Sequence, residues 1–303
     1  MKMQFARHET FYLREGWLTK GLREIAIADR PDIFLRKDAI EHLGIGSNMV
    51  KALRFWMQAT GITTEKKVSG KTIQELTSFG KLIKDYDRYL EEEISLWLLH
   101  YHLTTNSEQA TTWYWFFNIF EHKEFDEEIF VNMLDSWIRQ QGEKVAKGSL
   151  KRDFDCLLNT YLFNKDSSNR NPEDNLGCPL RELGLIEALD EKKRRYRMTR
   201  RQVAVLPNEL FFYCILLQAN DAESNYLSID ELLDQPGSIG RVFALGLAEV
   251  IQVLESLEHS GFLYVTKTDG LNNVSITKEN IDPTEVLTKY YEQYLRGVDK
   301  WVS

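Results

Sequence analysis

Three features that would classify a protein at once are missing from this sequence. Its apolar runs fall short of the roughly 20 residues that a membrane-spanning helix needs, and the opening MKMQFARHETF has no secretory signal. The three cysteines, Cys156, Cys178 and Cys214, stand far apart in no metal-binding or disulfide pattern. These absences predict a cytoplasmic protein without a membrane segment, a disulfide framework or a zinc site.

Several catalytic and cofactor motifs are also absent. The chain contains no GxxxxGK[ST], GxGxxG, HExxH or CxxC. His100 and His102 lie two residues apart and leave a helix on different faces, so they are not a local metal pair. The sequence therefore excludes the common nucleotide-binding and metalloprotease classes.

What is present describes an ordinary globular protein. The 303 residues are 43% hydrophobic and 28% charged, which suits two or three domains with packed cores. The formal net charge of -8 does not indicate nucleic-acid binding. A mean charge hides local basic patches, however, so the distribution of lysine and arginine decides that question.

The stretch from Arg36 to Ile83 is typical of a winged helix. A short helix over Lys37–Leu43 ends at Gly44, and Ser47 or Asn48 caps a second helix that runs to about Thr60. The next residues, 62–66 and 72–76, have the composition of two strands joined by a turn at Gly70.

One side of the second helix is polar and basic, which favours insertion into a DNA major groove. The hairpin carries lysines where a phosphate backbone would pass. The alternative is a helical domain with an ordinary solvated face. The predicted DNA-binding residues of this module are Asn48, Lys51, Arg54, Gln58, Lys66, Lys67 and Lys71.

Between the modules, Thr77 is predicted to cap an amphipathic helix that ends near Thr104. The aromatic run Thr111–His122 is more typical of a buried helix than of a base-stacking platform.

The same helix–helix–hairpin pattern recurs at about 126–201 and 208–278, where Ser149 and the Ser228–Glu231 capping box mark helix starts. Seven basic residues and no acid lie between Lys192 and Arg201, where a second wing is predicted; a solvated loop is the alternative. Its predicted DNA contacts are Lys192, Lys193, Arg194, Arg195 and Arg197, and Arg200 and Arg201 complete the run.

The third module has glutamates along its second helix, which disfavours DNA there and favours packing against a partner or a second copy. The predicted fold is mainly α with small β-hairpins, as tandem winged-helix modules joined by helices. The predicted domains are 1–125, 126–205 and 206–303.

Cleavage of a phosphodiester needs carboxylates that hold a divalent cation and a group that activates water. His8, Glu9 and Asp153 are the catalytic candidates, with Asp155, Glu173 and Asp174 as further carboxylates. His8 and Glu9, with Arg14 near, have an alternative role as a surface hydrogen-bond cluster. Asp153 or Asp155 has an alternative role as a helix cap or a partner of an arginine.

Long stretches of the chain, from about Phe5 to Leu295, resemble a bacterial family of formerly unassigned function. They are HETFYLREGWLTKGL, LGIGSNMVKALRFWMQATGI, LTSFGKLIKDYD, EDNLGCPLRELGLI and DPTEVLTKYY. The family is similar to the B component of the Ssp DNA phosphorothioation system, which is regarded as a DNA nickase.

The resemblance implies an Mg²⁺-dependent DNA-nicking endonuclease in antiviral defence. It also implies partners: a cysteine desulfurase, an ATP-activating sulfurtransferase and an ATPase. No catalytic motif transfers residue by residue, so the metal ligands stay unassigned. The alternatives are a non-catalytic DNA-binding adaptor and a protein-interaction scaffold, with a homodimer through the third module as a further expectation.

Overall fold

A computed structural model describes residues 2–163, 177–199, 206–268, 271–276 and 281–299. It is mainly helical with small antiparallel sheets, which confirms the predicted fold class at that level. The chain divides into two compact units, residues 1–201 (unit 1) and 202–303 (unit 2). The finer division of residues 1–205 into two domains stays a prediction.

Unit 1 has short helices around a central pair, with two small sheets. A π-helical turn (Arg23–Ile27) and two 3-10 turns (Ile33–Leu35 and Pro179–Leu183) complete it. Its helices are α1 (Trp17–Leu22), α2 (Ala39–Leu43), α3 (Ser47–Ala59), α4 (Ser78–Tyr86), α5 (Glu93–Thr105), α6 (Thr111–Asn118), α7 (Glu127–Gln140) and α8 (Lys147–Tyr161). Its strands are β1 (Thr63–Val68), β2 (Lys71–Leu76), β3 (Glu124–Phe125), β4 (Ile186–Asp190) and β5 (Arg195–Met198).

Unit 2 combines five helices with one sheet in the part of it that the structure describes. The helices are α9 (Asn208–Asp221), α10 (Ile229–Asp234), α11 (Ile239–Val242), α12 (Leu247–His259) and α13 (Pro283–Asp299). The strands are β6 (Tyr226–Ser228), β7 (Leu263–Thr268) and β8 (Leu271–Ile276).

The first predicted helix–helix–hairpin module is present. Gly44 ends α2 in the left-handed conformation, with φ of 63°. Strands β1 and β2 pair antiparallel, with Thr63 opposite Leu76 and Val68 opposite Lys71. The predicted side-chain cap was wrong, because the residue that caps α3 is Gly46, which lacks a side chain.

The second and third modules each have a strand that sequence reasoning missed. The sheet orders are β3–β5–β4 and β6–β8–β7. A short strand, β3 before α7 in the second module and β6 between α9 and α10 in the third, therefore pairs with the second strand of each hairpin. At two and three residues, β3 and β6 are too short for an alternating pattern. In the first module the backbone amide of Gln74 on β2 donates to the backbone carbonyl of Pro31 at 2.7 Å. This single contact takes the place of the third strand.

The helix predicted from Thr77 to Thr104 is two helices, and the prediction was wrong about the interval between them. Thr77 caps α4 as predicted, since its hydroxyl accepts from the amide of Gly80. The chain then breaks at buried Asp87, whose carboxylate accepts from the amides of Glu91 (2.9 Å) and Glu92 (3.0 Å). These bonds satisfy amides just before α5, so Asp87 fixes the direction of the second helix.

Two other predicted helix starts had different outcomes. The Ser228–Glu231 capping box is present in full. Helix α8 begins at Lys147 after Ala146, so Ser149 is not its cap. Local propensity places a helix more reliably than its first residue.

The core of unit 1 is built on α5 and α6. Both are buried on nearly every side, which confirms that the aromatic run is a core helix. Burying each such ring stabilises the fold by roughly 1.5–3 kcal/mol. The large buried side chains here include Trp97, Trp113, Trp115, Phe116 and Phe117. In the described ranges no helix is, by itself, long and apolar enough to cross a membrane.

Candidate nucleic-acid interface

Helix α3 presents the polar side that the sequence predicted. Asn48 and Lys51 are exposed, Arg54 and Gln58 are half-buried, and Leu53 on the other side is fully buried. The ammonium of Lys51 lies 3.3 Å from the side-chain oxygen of Asn48. The helix therefore faces solvent with a neutral amide and a lysine close together.

Glu65 on β1 organises the rest of this side. Its carboxylate accepts from Arg54 at 2.5 Å (Nε) and 2.9 Å (Nη2), and from Gln58 at 3.1 Å. The side-chain amide of Gln74 on β2 also donates to the Glu65 carboxylate, at 2.5 Å. Arg54 and Gln58 are thus held against the hairpin, and the charge of Arg54 is compensated within the protein.

The hairpin lysines differ in their surroundings. Lys66 pairs with Glu75 at 2.6 Å, with both side chains about half exposed. Lys67 and Lys71 are exposed, and the described residues place no carboxylate within 4.0 Å of either. These two lysines are available to an external anion.

In the second basic stretch, from Lys192 to Arg201, several positive charges are paired with acidic side chains from other parts of the chain. Arg194 pairs with Asp155 at 2.6 Å, Arg195 pairs with Glu124 at 2.8 Å, and Arg197 pairs with Glu187. Lys192 and Lys193 are exposed at the turn. Over the described ranges, neither ammonium group has a carboxylate within 4.0 Å. The backbone amide of Lys193 donates to the carboxylate of Asp190 at 3.0 Å. Arg200 and Arg201 lie outside the described residues.

An ion-pair chain fastens this turn to the helices beneath it. Lys151 on α8 contacts Glu127 on α7 at 2.7 Å, and Glu127 lies 3.7 Å from Arg194. Arg194 also contacts Asp155, which confirms the alternative in which that aspartate pairs with an arginine. Such a network orders side chains more than it stabilises the fold, because its members are partly exposed.

Sequence reasoning missed basic residues at the start of α8. Lys147 and Arg152 are exposed, and their described contacts are neutral: Asn132 for Lys147, and Gly148 and Ser149 for Arg152. The signal was the stretch KGSLKR, where three cations fall within two turns of a helix start.

The structure brings together His8 and Asp153, which lie 145 residues apart in sequence. The ring Nε2 of His8 lies 2.8 Å from the carboxylate of Asp153. The same carboxylate accepts from the amide of Ala6 at 2.8 Å and from the hydroxyl of Thr112 at 2.6 Å. Both side chains are about 1% exposed. This network fastens the N-terminal segment to α6 and α8.

The other residues of the predicted catalytic set lie elsewhere. Glu9 is exposed and adopts a positive φ of 50°. Arg14 lies 5.7–5.8 Å from the ring centres of Phe11, Tyr12 and Trp17. Glu173 and Asp174 lie outside the described residues.

The residues present do not form a side-chain metal centre in the described part of the chain. No three of its histidine, cysteine, aspartate or glutamate side chains are grouped as ligands. The oxygens of Asp153 are already engaged by His8, Ala6 and Thr112. A divalent cation that requires several carboxylate ligands does not fit this set.

The three cysteines offer no reactive thiol. Burial raises the pKa of Cys178 to about 12, and burial raises the pKa values of Cys156 and Cys214 well above the ordinary value. A thiol that stays protonated is a poor nucleophile.

The two units differ in charge. Unit 1 contains 32 lysines and arginines and 31 acidic residues, a formal charge of +1. Unit 2 contains 6 lysines and arginines and 15 acidic residues, a formal charge of -9. The acidity of the chain therefore belongs entirely to unit 2.

Comparisons with known proteins agree over most of the chain. A magnesium ion-bound crystal structure of SspB is 30% identical, with a TM-score of 0.84 over 95% of this chain and 88% of that chain. A further SspB crystal structure gives 30% identity and a TM-score of 0.83 over the same shares. No curated protein matches in sequence. The model of the family described as protein of unknown function DUF4007 matches residues 5–291, and the chain belongs to that family.

Proposed function

We propose that this protein is a DNA-binding component of an Ssp-type DNA phosphorothioation system. The observation that carries the proposal is the likeness to SspB in sequence and structure over 95% of the chain. The system-level assignment follows from the resemblance, and the surface of unit 1 supports the DNA-binding part.

The modules of unit 1 act as winged helices in this proposal. Two helices followed by a hairpin, with a third strand or strand-like contact beside it, occur at residues 30–76 and 124–198. That order of elements suits a helix in the major groove and a hairpin along the backbone. Helices α3 and α8 are the proposed groove helices.

The proposed phosphate contacts are the exposed cations of α3, α8 and the two hairpins that have no carboxylate partner for the side chain in the described ranges. Phosphate contacts fix a protein on the duplex without reading sequence. In this proposal Asn48 and the Arg54–Gln58 pair lie closest to the bases, and Arg54 exchanges Glu65 for DNA. The free cations are Lys51, Lys67, Lys71, Lys147, Arg152, Lys192 and Lys193.

The finer proposal is that the protein nicks DNA in a magnesium-dependent reaction. Two observations support this part: the resemblance to the Ssp B component, which is regarded as a DNA nickase, and the likeness to a magnesium ion-bound crystal structure of SspB. His8, Glu9 and Asp153 remain the proposed catalytic residues. A cysteine desulfurase, an ATP-activating sulfurtransferase and an ATPase remain the proposed partners.

The second candidate is a DNA-binding adaptor that recruits sulfur-transfer proteins without cutting DNA. The burial of His8 and Asp153 favours it, because a group that is about 1% exposed does not reach a phosphodiester without opening of the fold. In this candidate the His8–Asp153 pair is a structural fastening of the N-terminal segment.

A plasmid assay separates the candidates. Pure protein is incubated with supercoiled plasmid and magnesium, with chelator in a parallel sample, and DNA binding is measured on the same preparation. The nickase produces open circles only with magnesium. The adaptor binds and leaves the plasmid supercoiled.

Three substitutions refine a positive result: Glu9→Gln, His8→Gln and Asp153→Asn. Glu9 is exposed, so its substitution tests catalysis without disturbing the core. Full nicking by all three folded variants would remove the proposed catalytic set, and absence of DNA binding by the wild type would remove the DNA-binding proposal itself.

A further inference from the structure

Two exposed tyrosines stand in one row of the sheet of unit 2. Tyr226 on β6 and Tyr264 on β7 both lie opposite Ser275 on β8, the central strand. Residues directly opposite in adjacent strands share a face. The row therefore reads tyrosine, serine, tyrosine across three strands.

This row lies on the solvent side of the sheet. Tyr226 is 67% exposed and Tyr264 is 62% exposed, while Leu227 and Val274 on the opposite side are buried. Neither tyrosine ring contacts another aromatic ring among the described residues. The two rings are unoccupied hydrophobic surface with a polar tip.

The spacing of the row makes a slot. Neighbouring strands lie about 4.7–4.9 Å apart, so the two tyrosine backbones are roughly 9–10 Å apart with the small side chain of Ser275 between them. A planar group stacked between two rings needs about 7–8 Å from ring to ring. The separation of the two strands therefore leaves room for one flat group between the tyrosine side chains.

The surroundings are acidic. From residue 202 to 276, the end of the sheet, the chain has ten aspartates and glutamates and two basic residues, Lys267 on β7 and Arg241. Arg241 lies 3.5 Å from Asp234. Next to Tyr264, the carboxylate of Glu258 accepts from the amide of Val265 at 2.8 Å. That bond places a negative charge at the outer edge of β7, one residue from Tyr264, and occupies a donor of the edge strand.

We call this face, formed by Tyr226, Ser275 and Tyr264, the tyrosine slot. From its spacing and the formal charge of -9 on unit 2, we infer that it binds an arginine-bearing basic segment of a partner protein. A guanidinium is flat, stacks on aromatic faces and carries the complementary charge. A nucleobase also fits a slot of this width, but its phosphates meet a unit of like charge. A second copy of the chain is disfavoured as the occupant, because its own unit 2 also carries a formal charge of -9.

The inference does not depend on DNA binding by unit 1. DNA binding is proposed for unit 1 and binding of a protein partner for unit 2. An experiment that refutes one of these proposals leaves the other intact.

The test uses the full-length protein and a fluorescent peptide of alternating arginine and glycine, with binding followed by anisotropy at low salt. A lysine–glycine peptide and a single-stranded oligonucleotide are the comparison probes. The arginine peptide should bind more tightly than the lysine peptide. The Tyr226→Ser, Tyr264→Ser double variant should bind it roughly tenfold more weakly.

Tyr89→Ser is the matched control, because Tyr89 in unit 1 is 65% exposed. It should leave peptide affinity unchanged. Tyr226→Phe with Tyr264→Phe keeps both rings and should retain binding, which guards against a loss caused by misfolding.

Three results would overturn the inference. One is unchanged peptide affinity in the double serine variant. Another is loss of oligonucleotide binding in that variant without loss of peptide binding. The third is a wild-type dimer in sedimentation that the double serine variant converts to monomer, which would assign the slot to a second copy.

Discussion

In the proposed DNA complex, Glu65 competes with DNA for Arg54, so removal of its charge should strengthen DNA binding. The glutamate holds Arg54 with two hydrogen bonds and also accepts from Gln58 and Gln74. In the proposed complex, Arg54 must leave this carboxylate before it contacts DNA. Glu65→Gln keeps the size of the side chain and removes the charge that competes with phosphate.

The expected effect follows from counterion release. One additional phosphate contact makes the slope of log affinity against log salt steeper by about 0.9. The affinity gain of Glu65→Gln should therefore shrink by about 3- to 4-fold between 50 and 200 mM salt. Its stability should fall by only about 0.5–1.5 kcal/mol, because Arg54 and Glu65 are partly exposed.

The assay is anisotropy of a labelled DNA duplex titrated with protein over a series of salt concentrations. Asp135→Asn is the control, since it releases Arg139 on α7 outside the proposed surface. It should leave the slope unchanged.

A double variant decides whether Arg54 is the residue released. Adding Arg54→Met to Glu65→Gln should abolish the gain in slope. An unchanged slope in Glu65→Gln alone, or a gain that survives Arg54→Met, would refute the assignment of Arg54 to the DNA surface.

Three further predictions concern the second hairpin, the buried aspartate and the half-buried His102. Replacing Lys192 and Lys193 by alanine should flatten the salt slope of DNA binding by about two units, because both lysines lack a carboxylate partner in the described ranges. Asp153→Ala should lower the free energy of unfolding in urea by about 2–4 kcal/mol, since it leaves His8, Thr112 and the amide of Ala6 without an acceptor. Burial lowers the pKa of His102 to about 4 from 6.5, so the unfolded chain binds a proton that the folded chain does not. Stability should be full above pH 6.5 and fall toward pH 4, by on the order of 1–3 kcal/mol, and His102→Phe should flatten that fall.

Each of these predictions has a control and a contradicting result. Lys289→Ala removes an exposed lysine of unit 2 and should not change the slope of log DNA affinity against log salt. If this variant flattens the slope as much as the Lys192 and Lys193 variant does, the effect comes from the total charge of the protein and not from the hairpin. Asp155→Ala, on the exposed side of the same helix as Asp153, should change stability by less than about 1 kcal/mol. A pH profile identical in wild type and His102→Phe would contradict the histidine argument.

Much of the local structure could be predicted from sequence, because helical spacing of apolar residues specifies helices, and β-branched residues on both sides of a turn glycine specify hairpins. The helix and strands at residues 47–76 follow this rule. The break at Asp87 was missed because the segment around it keeps helical spacing, while its cause is a carboxylate bonded to amides four and five residues later. Strands β3 and β6 exist only through their pairing partners, so no local pattern specifies them.

The electrostatic surroundings of the basic residues could not be predicted from a count of charges. Arg54 on α3 pairs with Glu65 on β1, and Arg195 pairs with Glu124, which lies 71 residues away in sequence. Such pairs depend on which elements become neighbours, and they decide whether a cation is free. The contact between His8 and Asp153 is long-range in the same way, although sequence had singled out both residues.

The most direct test of the DNA-binding claim is the salt dependence of duplex binding by the wild-type protein. If all seven cations proposed on unit 1 contact phosphate, the slope of log affinity against log salt should be about -6, and about -3 if half of them do. The slope should be retained when the acidic unit 2 is altered at Tyr226 and Tyr264. Absence of binding at low salt, or binding that does not weaken as salt rises, would contradict the account.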